Sequence, residues 1–215
     1  MQTFAANAPM PVVRRLPKYH KYLKELLEEG VTKISSKELS LRMGSTASQI
    51  RQDLNYFGGF GQQGYGYNVS ELIVAIEDIL SIHEVYRCII IGAGNLGKAI
   101  RNYIANLDGN AKILAMFDVD ASKTQEKEGQ LPVYHTSRLK EYMRGHEVDV
   151  AILCVPKSSG VRAAEEVIGG GIRAIWNFTT ADLPQTEGIV IENVAINESF
   201  YVLTYLLSEK MQNKT

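Results

Sequence analysis

The sequence predicts an α/β fold in two parts, a mostly helical N-terminal module and a domain built on a parallel sheet. Up to residue 57 apolar residues recur at helical spacing, and a glycine-rich stretch, residues 58–68, follows them. After residue 85, strand-like apolar runs alternate with helical patterns, as in βαβ units whose sheet is covered on both faces. A chain of 215 residues has room for one or two such domains.

The composition is that of an ordinary globular protein, with 45% apolar and 22% charged residues. No run of about 18 or more apolar residues occurs, and the N-terminus lacks the basic and long apolar segments of a signal peptide. We therefore expect a cytoplasmic protein with no membrane partner. Cys88 and Cys154 lie in strand-like runs, which favours buried thiols over a disulfide or a metal site.

The net charge of -1 is unevenly distributed. Residues 1–60 carry nine Lys and Arg against five Asp and Glu, whereas the remaining 155 residues carry 14 against 19. The basic N-terminal part indicates a phosphate backbone as its partner. A solvated helix face has a similar charge, so this observation needs support from the elements themselves.

The first elements of the N-terminal module are two helices with a small strand between them. Apolar residues at helical spacing predict a helix from Arg14 that stops at Gly30, a residue suited to the left-handed conformation after a helix. The short segment 31–35, with the β-branched residues Val31, Thr32 and Ile34, predicts the strand. Ser36 is then expected to cap a two-turn helix that ends at Gly44.

A third helix, residues 47–57, is expected to be capped by Ser45 or Thr46. Its apolar residues Ile50, Leu54 and Phe57 recur at i, i+4 and i+7 and should face inward. The outer face is then polar: Ser48, Gln49, Arg51, Gln52 and Asn55.

The glycine-rich residues 58–68 hold five glycines and three aromatic residues, which excludes a helix and predicts a hairpin. Three helices, a strand and such a hairpin make up a winged helix-turn-helix, whose recognition helix enters the major groove of double-stranded DNA. The alternative is a winged module that contacts protein. Our candidate DNA contacts are Ser48, Gln49, Arg51, Gln52, Tyr56, Gln62, Gln63 and Tyr65.

Residues 69–87 predict a further amphipathic helix that bridges the two parts. Beyond it we expect five buried strands, at residues 87–92, 111–119, 148–156, 172–178 and 188–194. Helices are expected near residues 96–107, 137–146, 160–168 and 199–211. This alternation predicts a Rossmann-like parallel sheet.

A G-x-G-x-x-G motif follows the first of these strands directly and opens a helix. In that setting Gly92 allows a tight turn, Gly94 lets the backbone approach a diphosphate, and Gly97 allows close packing of helix on strand. Asp118 ends the second strand, 21 residues after Gly97, where an acid binds the adenosine ribose and disfavours a 2′-phosphate. The motif therefore predicts NAD rather than NADP, with Asp120 as a second candidate for the ribose; a turn-capping role for Asp118 is the alternative.

The chain offers little for catalysis. It has no room for the separate substrate domain of most dehydrogenases. We place its four histidines, His20, His83, His135 and His146, in helices or short connections, none at the carboxyl end of a main sheet strand. Tyr103 and Lys157 have no visible catalytic partner, so we expect no catalytic residues and no enzyme.

The final helix, residues 199–211, is apolar around most of its circumference. A helix of this kind at a chain end is seldom solvent-facing. We favour burial against a second copy, because winged-helix proteins commonly bind two half-sites as symmetric dimers.

Taken together, several motifs show that the chain resembles the Rex family of redox-sensing transcriptional repressors. They are "RRLPKYHKYL", "SSKELS", "IRQDLNYFG", "GQQGYGYNV", "GAGNLGKAI", "FDVD", "PVY" and "NFT", and the similarity extends over residues 14–210. The resemblance implies a homodimer in which the C-terminal helix is domain-swapped. It also implies NAD+ and NADH as ligands, with release from operator DNA when NADH replaces NAD+.

Residue roles follow from the same resemblance. Tyr103 matches a nicotinamide-side switch residue, Phe200 would reach the partner's cofactor, and Arg15 would communicate with the cofactor domain. The full candidate set for the cofactor is Gly92, Ala93, Gly94, Asn95, Leu96, Gly97, Tyr103, Asp118, Val155, Pro156, Asn177, Phe178, Thr179 and Phe200.

The sequence departs from the family pattern in three places. Gln62 and Gln63 stand in the wing, and Gln52 in the third helix, where relatives often have cations, so we expect weaker DNA binding with a shallower salt dependence. Ala195 stands near a position that is usually acidic, so the redox signal must use other contacts, with Asn197 and Glu198 as candidates.

The expected domains are 1–85 for DNA binding, 86–196 for the dinucleotide and 197–215 for dimerisation. One alternative is an enzyme, either a small NAD-dependent oxidoreductase or a CoA-binding ligase subunit, since the same glycine-rich unit can hold the diphosphate of CoA. Another is a DNA-binding regulator whose nucleotide pocket is degenerate.

Overall fold

The structure is a computed structural model that describes residues 8–57, 61–62, 66–105, 110–124 and 130–212. The chain divides into two compact units, Met1–Glu84 and Val85–Thr215. Together they confirm the α/β fold class, with a helical module of winged helix-turn-helix type followed by a Rossmann-like parallel sheet.

In the first unit, helices alternate along the chain with the strands of a three-stranded antiparallel sheet, whose strand order is β1-β3-β2. The helices are α1 (Met10–Val13), α2 (Leu16–Glu28), α3 (Ser36–Met43), α4 (Ala47–Asn55) and α5 (Val69–Ile79). The strands are β1 (Lys33–Ile34), β2 (Gly61–Gln62) and β3 (Gly66–Asn68). Strands β2 and β3 form the predicted hairpin.

Capping residues set the ends of the two helices α3 and α4. Ser35, not the predicted Ser36, caps α3: its hydroxyl accepts from the Glu38 backbone, and the Glu38 carboxylate accepts from the Ser35 backbone. This reciprocal pair needs a Glu three residues after the cap. Ser35 meets that condition with Glu38, whereas Ser36 would be followed at that distance by Leu39. Of the two candidates for α4, Thr46 is the cap, and its hydroxyl accepts from the Gln49 backbone nitrogen.

The core of the first unit is a single cluster drawn from all its longer helices. Ile50, Leu54 and Phe57 are fully buried in it, as predicted. The bridging helix is shorter than predicted, because α5 ends at Ile79 and not near Arg87. A turn follows in which Ser81 has a φ of 52°, a left-handed conformation that stops the helix.

The second unit contains a six-stranded parallel sheet with strand order β6-β5-β4-β7-β8-β9, the order of a doubly wound fold. Its strands are β4 (Tyr86–Ile91), β5 (Ala111–Asp118), β6 (Val133–His135), β7 (Val150–Leu153), β8 (Ala174–Asn177) and β9 (Val190–Asn193). The helices between and after them are α6 (Asn95–Ala105), α7 (Leu139–Gly145), α8 (Lys157–Gly169) and α9 (Ile196–Gln212). Strand β6, a three-residue edge strand, is absent from the sequence-based expectation.

Successive residues of β4 enter two different cores, which is how a sheet covered on both faces is built. Ile89 and Ile91 join the cluster that includes residues of α7 and α8. Cys88 and Ile90 join the cluster that includes α6. Burial raises the pKa of the Cys88 thiol to about 11 and that of Cys154 to about 12, so both stay protonated, as expected of structural cysteines.

Helix α9 contrasts with this packing. Every one of its residues is exposed, including Phe200, Tyr201, Leu203, Tyr205 and Leu206. Within the described residues, no helix is both long and apolar enough to cross a membrane.

Candidate nucleotide and nucleic-acid sites

The three glycines of the G-x-G-x-x-G motif, in the loop after β4 and the first turn of α6, meet different surroundings. At Gly92, where φ is 104°, a side chain would bring Cβ within 2.5 Å of the Cys154 carbonyl oxygen. At Gly97 the same atom would lie 1.9 Å from the Gly92 carbonyl oxygen. Gly94 faces open space, with nothing within 4 Å. Two glycines are therefore required by packing, and the third leaves the helix N-terminus open to a phosphate group.

This loop forms one wall of a cavity of about 560 Å³ at the carboxyl edge of the sheet. The cavity brings together seven of the candidate cofactor residues: Gly92, Gly94, Asn95, Leu96, Asp118, Val155 and Pro156. Ala93, in the same loop, and Gly97, in the first turn of α6, are buried. A dinucleotide diphosphate at the start of α6 would thus have the acid of β5 on one side and the end of β7 on the other.

Asp118 is a buried carboxylate with several donors around it. It accepts from the backbone nitrogens of Ala93 and Asp120, at 2.7 and 2.9 Å, and from Lys123 Nζ at 3.1 Å. Burial by itself raises the pKa of this carboxyl, but the hydrogen bonds from Asp120, Ala93 and Lys123 outweigh burial and hold the pKa below its usual value. Asp118 is therefore ionised at neutral pH and can accept from a ribose hydroxyl.

A second cleft, of about 410 Å³, lies at the carboxyl ends of β8 and of the edge strand β9. Residues 178–182 and 193–198 line it, among them the candidates Phe178 and Thr179. Asn177 is buried below. Tyr103 on α6 and Phe200 on α9 are exposed and line neither cavity.

The outer face of α4 presents Ser48, Arg51, Gln52 and Tyr56 to solvent, as a recognition helix should. Arg51 donates to the Ser36 hydroxyl at 3.0 Å. Gln62 lies in β2, with its side chain outside the described residues, and Gln63 and Tyr65 lie outside them altogether.

Gln49, a fifth candidate on α4, belongs to a buried network centred on Asp53. The Asp53 carboxylate accepts from Arg15 Nε and Nη2, from the Tyr19 hydroxyl at 2.8 Å and from Gln49 Nε2 at 2.8 Å. Burial raises the pKa of Asp53, yet the bonds from Arg15, Tyr19 and Gln49 outweigh it, so the pKa is lowered overall. Burial raises the pKa of the Tyr19 hydroxyl.

Comparison with known proteins finds matches for both parts of the chain. Residues 7–55 match a family model described as "Putative DNA-binding protein N-terminus", and residues 83–181 match one described as "CoA binding domain". A redox-sensing transcriptional repressor Rex from Clostridioides difficile is 45% identical over 94% of this chain and 97% of its own length. The chain belongs to the Rex family.

Solved structures of this family superpose on almost the whole chain. The repressor RSP in complex with NAD+ and operator DNA has a TM-score of 0.88 and 44% identity, over 97% of this chain and 96% of its own. RSP in complex with NADH has a TM-score of 0.86 and 41% identity, over 96% and 97%. The Rex relatives are named as repressors and not as enzymes, in agreement with the expectation from the sequence.

One expectation about the histidines is wrong. His135 is the last residue of β6 and so lies at the carboxyl end of a parallel strand. Its position was missed because β6 itself was missed. The imidazole hydrogen-bonds to the Ser137 hydroxyl in the turn that follows and to the Val119 carbonyl oxygen after β5, and neither contact is a catalytic pairing.

The cavity walls also contain residues that the sequence analysis did not select: Lys123, Thr136, Ser159, Arg162 and Glu166. Lys123 could have been found, since it follows Asp118 by five residues and is close enough to form an ion pair with it. The α8 residues gave no such signal, because an exposed Arg and Glu at i and i+4 read as an ordinary surface pair. Among the described residues no group of His, Cys, Asp or Glu side chains is arranged to hold a metal ion.

Proposed function

We propose that this Rex protein represses transcription by binding operator DNA as a homodimer, and that it leaves the operator when NADH replaces NAD+. The observation that carries the proposal is the presence, in one chain, of an open glycine loop beside the ionised Asp118 and of a module with a polar, exposed recognition helix. The RSP structures with NAD+, NADH and operator DNA support the same pairing of ligands.

The residues of the first cavity fit the common part of the two nucleotides. The free N–H groups at the start of α6 donate to the diphosphate beside Gly94, and Asp118 accepts from the adenosine ribose. Val155 and Pro156 close the cavity at the end of β7. These contacts bind NAD+ and NADH alike, so they set affinity without distinguishing redox state.

Discrimination is assigned to the nicotinamide side, because the ring alone differs in charge and planarity between the two redox forms. Phe178, Thr179 and Tyr103 would line that side. The exchanged α9 of the partner subunit would add its Phe200. The complete exposure of the apolar α9 supports packing of this helix against a second copy of the chain.

The DNA contacts are assigned to α4 and the hairpin. Arg51 and Gln52 would read or approach the major groove, and Ser48 and Tyr56 would contact the backbone. Gln62, Gln63 and Tyr65 are proposed as wing contacts. The boundaries 1–85, 86–196 and 197–215, and a location in the cytoplasm with the operator, belong to the same proposal.

The switch follows from differential affinity. If NADH binds more tightly to a dimer whose recognition helices no longer match successive major grooves, it draws the population away from the DNA-competent form. By linkage, operator DNA must weaken NADH binding by the same factor.

The test is a titration of a labelled operator duplex at fixed salt, with NAD+ and NADH added in separate series. We expect NADH to raise the operator Kd and NAD+ to leave it low. Identical curves with the two nucleotides would overturn the proposal. NADH binding can be monitored by fluorescence quenching of Trp176, the single tryptophan. If no binding is detected, a regulator with a degenerate nucleotide pocket is favoured instead.

A further inference from the structure

Asn177, expected from the sequence to contact the cofactor, uses all of its amide within the protein. Its Nδ2 donates to Asn193 Oδ1 at 2.8 Å and to the Ala181 carbonyl oxygen at 3.2 Å. Its Oδ1 accepts from the backbone nitrogen and the hydroxyl of Thr179, at 3.0 and 2.7 Å. An amide has two N–H donors and two acceptor lone pairs, so none is left for a nucleotide.

The bonds of Asn177 fix the loop that follows β8, residues 178–182. The Thr179 hydroxyl also accepts from the Ala181 backbone nitrogen at 3.2 Å. Helix α8 packs directly on this loop, since a Cβ at Gly160 would lie 2.7 Å from the Ala181 Cβ. Phe178 packs against Trp176, with ring centroids 4.8 Å apart. These contacts tie the loop to α8 on one side and to β8 on the other, so a displacement of the loop is passed on to its neighbours.

The same amide reaches the start of α9. Asn193 is the last residue of β9 and lies opposite Asn177 in the strand register. The Val194 backbone nitrogen donates to the Asn177 carbonyl oxygen at 2.8 Å, and α9 begins at Ile196. The two segments that Asn177 joins are also the two walls of the 410 Å³ cleft. One buried side chain thus connects the proposed nicotinamide loop to the base of the proposed dimer helix.

We propose that Asn177 and Asn193 are positioning residues that couple the nicotinamide loop to α9. The inference rests on the proposed function. When the redox state of the bound nucleotide changes the preferred position of Phe178 and Thr179, the Asn177 amide carries that displacement to the first turn of α9. The Asn177–Asn193 hydrogen bond couples the cofactor site to the dimer helix and does not contribute to nucleotide affinity.

The experiment compares Asn193→Ala with the full-length wild-type protein. Asn193 is exposed, so its truncation removes one acceptor without opening the core. We expect the Kd values for NAD+ and NADH, measured by quenching of Trp176, to stay within about twofold of wild type. The factor by which NADH raises the operator Kd should fall about three- to tenfold, the range expected for one lost hydrogen bond.

Two further variants separate coupling from general damage. Asn193→Asp keeps an acceptor for the Asn177 Nδ2 and should restore most of the NADH effect. Val190→Ala truncates an exposed side chain on the same strand and should match wild type. Thermal unfolding of all four proteins checks that each is folded.

The possible outcomes are distinct. If wild type responds to NADH and Asn193→Ala responds equally, or if Asn193→Asp behaves like Asn193→Ala, the coupling role is wrong. A large loss of NADH affinity in Asn193→Ala would also overturn it, because the residue would then act on the ligand site itself. If wild type shows no NADH effect, the proposed function fails, and the coupling role with it.

Discussion

Arg15 and Asp53 form a two-point ion pair that joins the start of α2 to the recognition helix. Arg15 Nε lies 2.6 Å from one carboxylate oxygen of Asp53, and Nη2 lies 2.7 Å from the other. Asp53 is fully buried, whereas about a third of the Arg15 side chain is exposed. Tyr19 and Gln49 complete the donors around the carboxylate, so this one acid ties α4 to both Arg15 and Tyr19.

Replacing the acid should therefore destabilise the DNA-binding module. We expect Asp53→Asn to lower the free energy of unfolding by about 2–4 kcal/mol, because a buried acceptor for three side chains loses its charge. Urea unfolding followed by circular dichroism measures this change. Glu29→Gln, which breaks the exposed pair with Arg42, is the matched control and should change the free energy of unfolding much less, because solvent screens an exposed pair. Equal effects of the two substitutions would contradict the assigned role.

The same pair predicts a dependence of stability on pH. The pKa of Asp53 is lower in the folded protein than in the unfolded chain, so its stabilising contribution is complete above the unfolded value, about 4. That contribution decreases as the pH falls through the folded pKa. The difference in unfolding free energy between wild type and Asp53→Asn should hence be constant near pH 7 and shrink below about pH 4. A difference that grows on acidification would have the wrong sign.

The glycine loop predicts two opposite outcomes for the same substitution. Gly94→Ala should leave the fold intact and weaken NADH binding about tenfold or more, since the new methyl group occupies space needed by the diphosphate. Gly97→Ala should instead destabilise the second unit, because its Cβ would overlap the Gly92 carbonyl oxygen. Thermal unfolding and NADH titration together distinguish the two. Unchanged affinity in a folded Gly94→Ala protein would place the diphosphate elsewhere.

Asp118 and Asp120 are the two candidates for the ribose, and their neutral variants decide between them. Asp118→Asn should weaken NADH binding about tenfold, the loss expected for a charge-assisted hydrogen bond, and should narrow the preference over NADPH. Asp120→Asn should change neither, because its carboxylate caps the following turn at Ser122. Titrations with both reduced nucleotides provide the measurement. The reverse result would assign the ribose to Asp120.

The recognition helix predicts a change in salt dependence. Gln52→Lys adds a cation to the exposed face of α4, so operator affinity should rise, and the slope of log K against log salt should steepen by about 0.9 for one new phosphate contact. Lys140→Gln, a surface change on α7, should leave the slope unchanged. Operator titrations at four or five salt concentrations give the slopes. A slope for Gln52→Lys equal to that of wild type would contradict a new phosphate contact at this position.

Long, regular patterns in the sequence were sufficient for the architecture. The buried positions Ile50, Leu54 and Phe57 follow directly from helical spacing, and the strands β4, β5, β7, β8 and β9 follow from apolar runs. Strand β6 was missed because three residues at a sheet edge carry no periodicity of their own. The end of α5 was missed because the apolar pattern continues past Ile79, whereas the left-handed turn at Ser81 has no Gly or Pro to mark it.

The sites were harder to predict than the elements, because their hydrogen bonds join residues far apart in the chain. A motif selects Gly92 or Asp118, but nothing near Asn177 in sequence shows that Asn193 completes its amide. Gln49 has the kind of amide side chain that reads base edges in the major groove, yet its Nε2 donates to the Asp53 carboxylate. Such pairings depend on register and helix packing, which spacing alone does not determine.

The uncovered surface of α9 has a consequence for how the repressor responds to its own abundance. A 17-residue helix without buried residues is marginal in water, so the proposed dimerisation would couple its order to association with a second chain. Association linked to folding makes the melting temperature rise with protein concentration. With the proposed dimerisation, a cell that holds few copies would contain mainly single subunits, and repression would begin only above a threshold of expression.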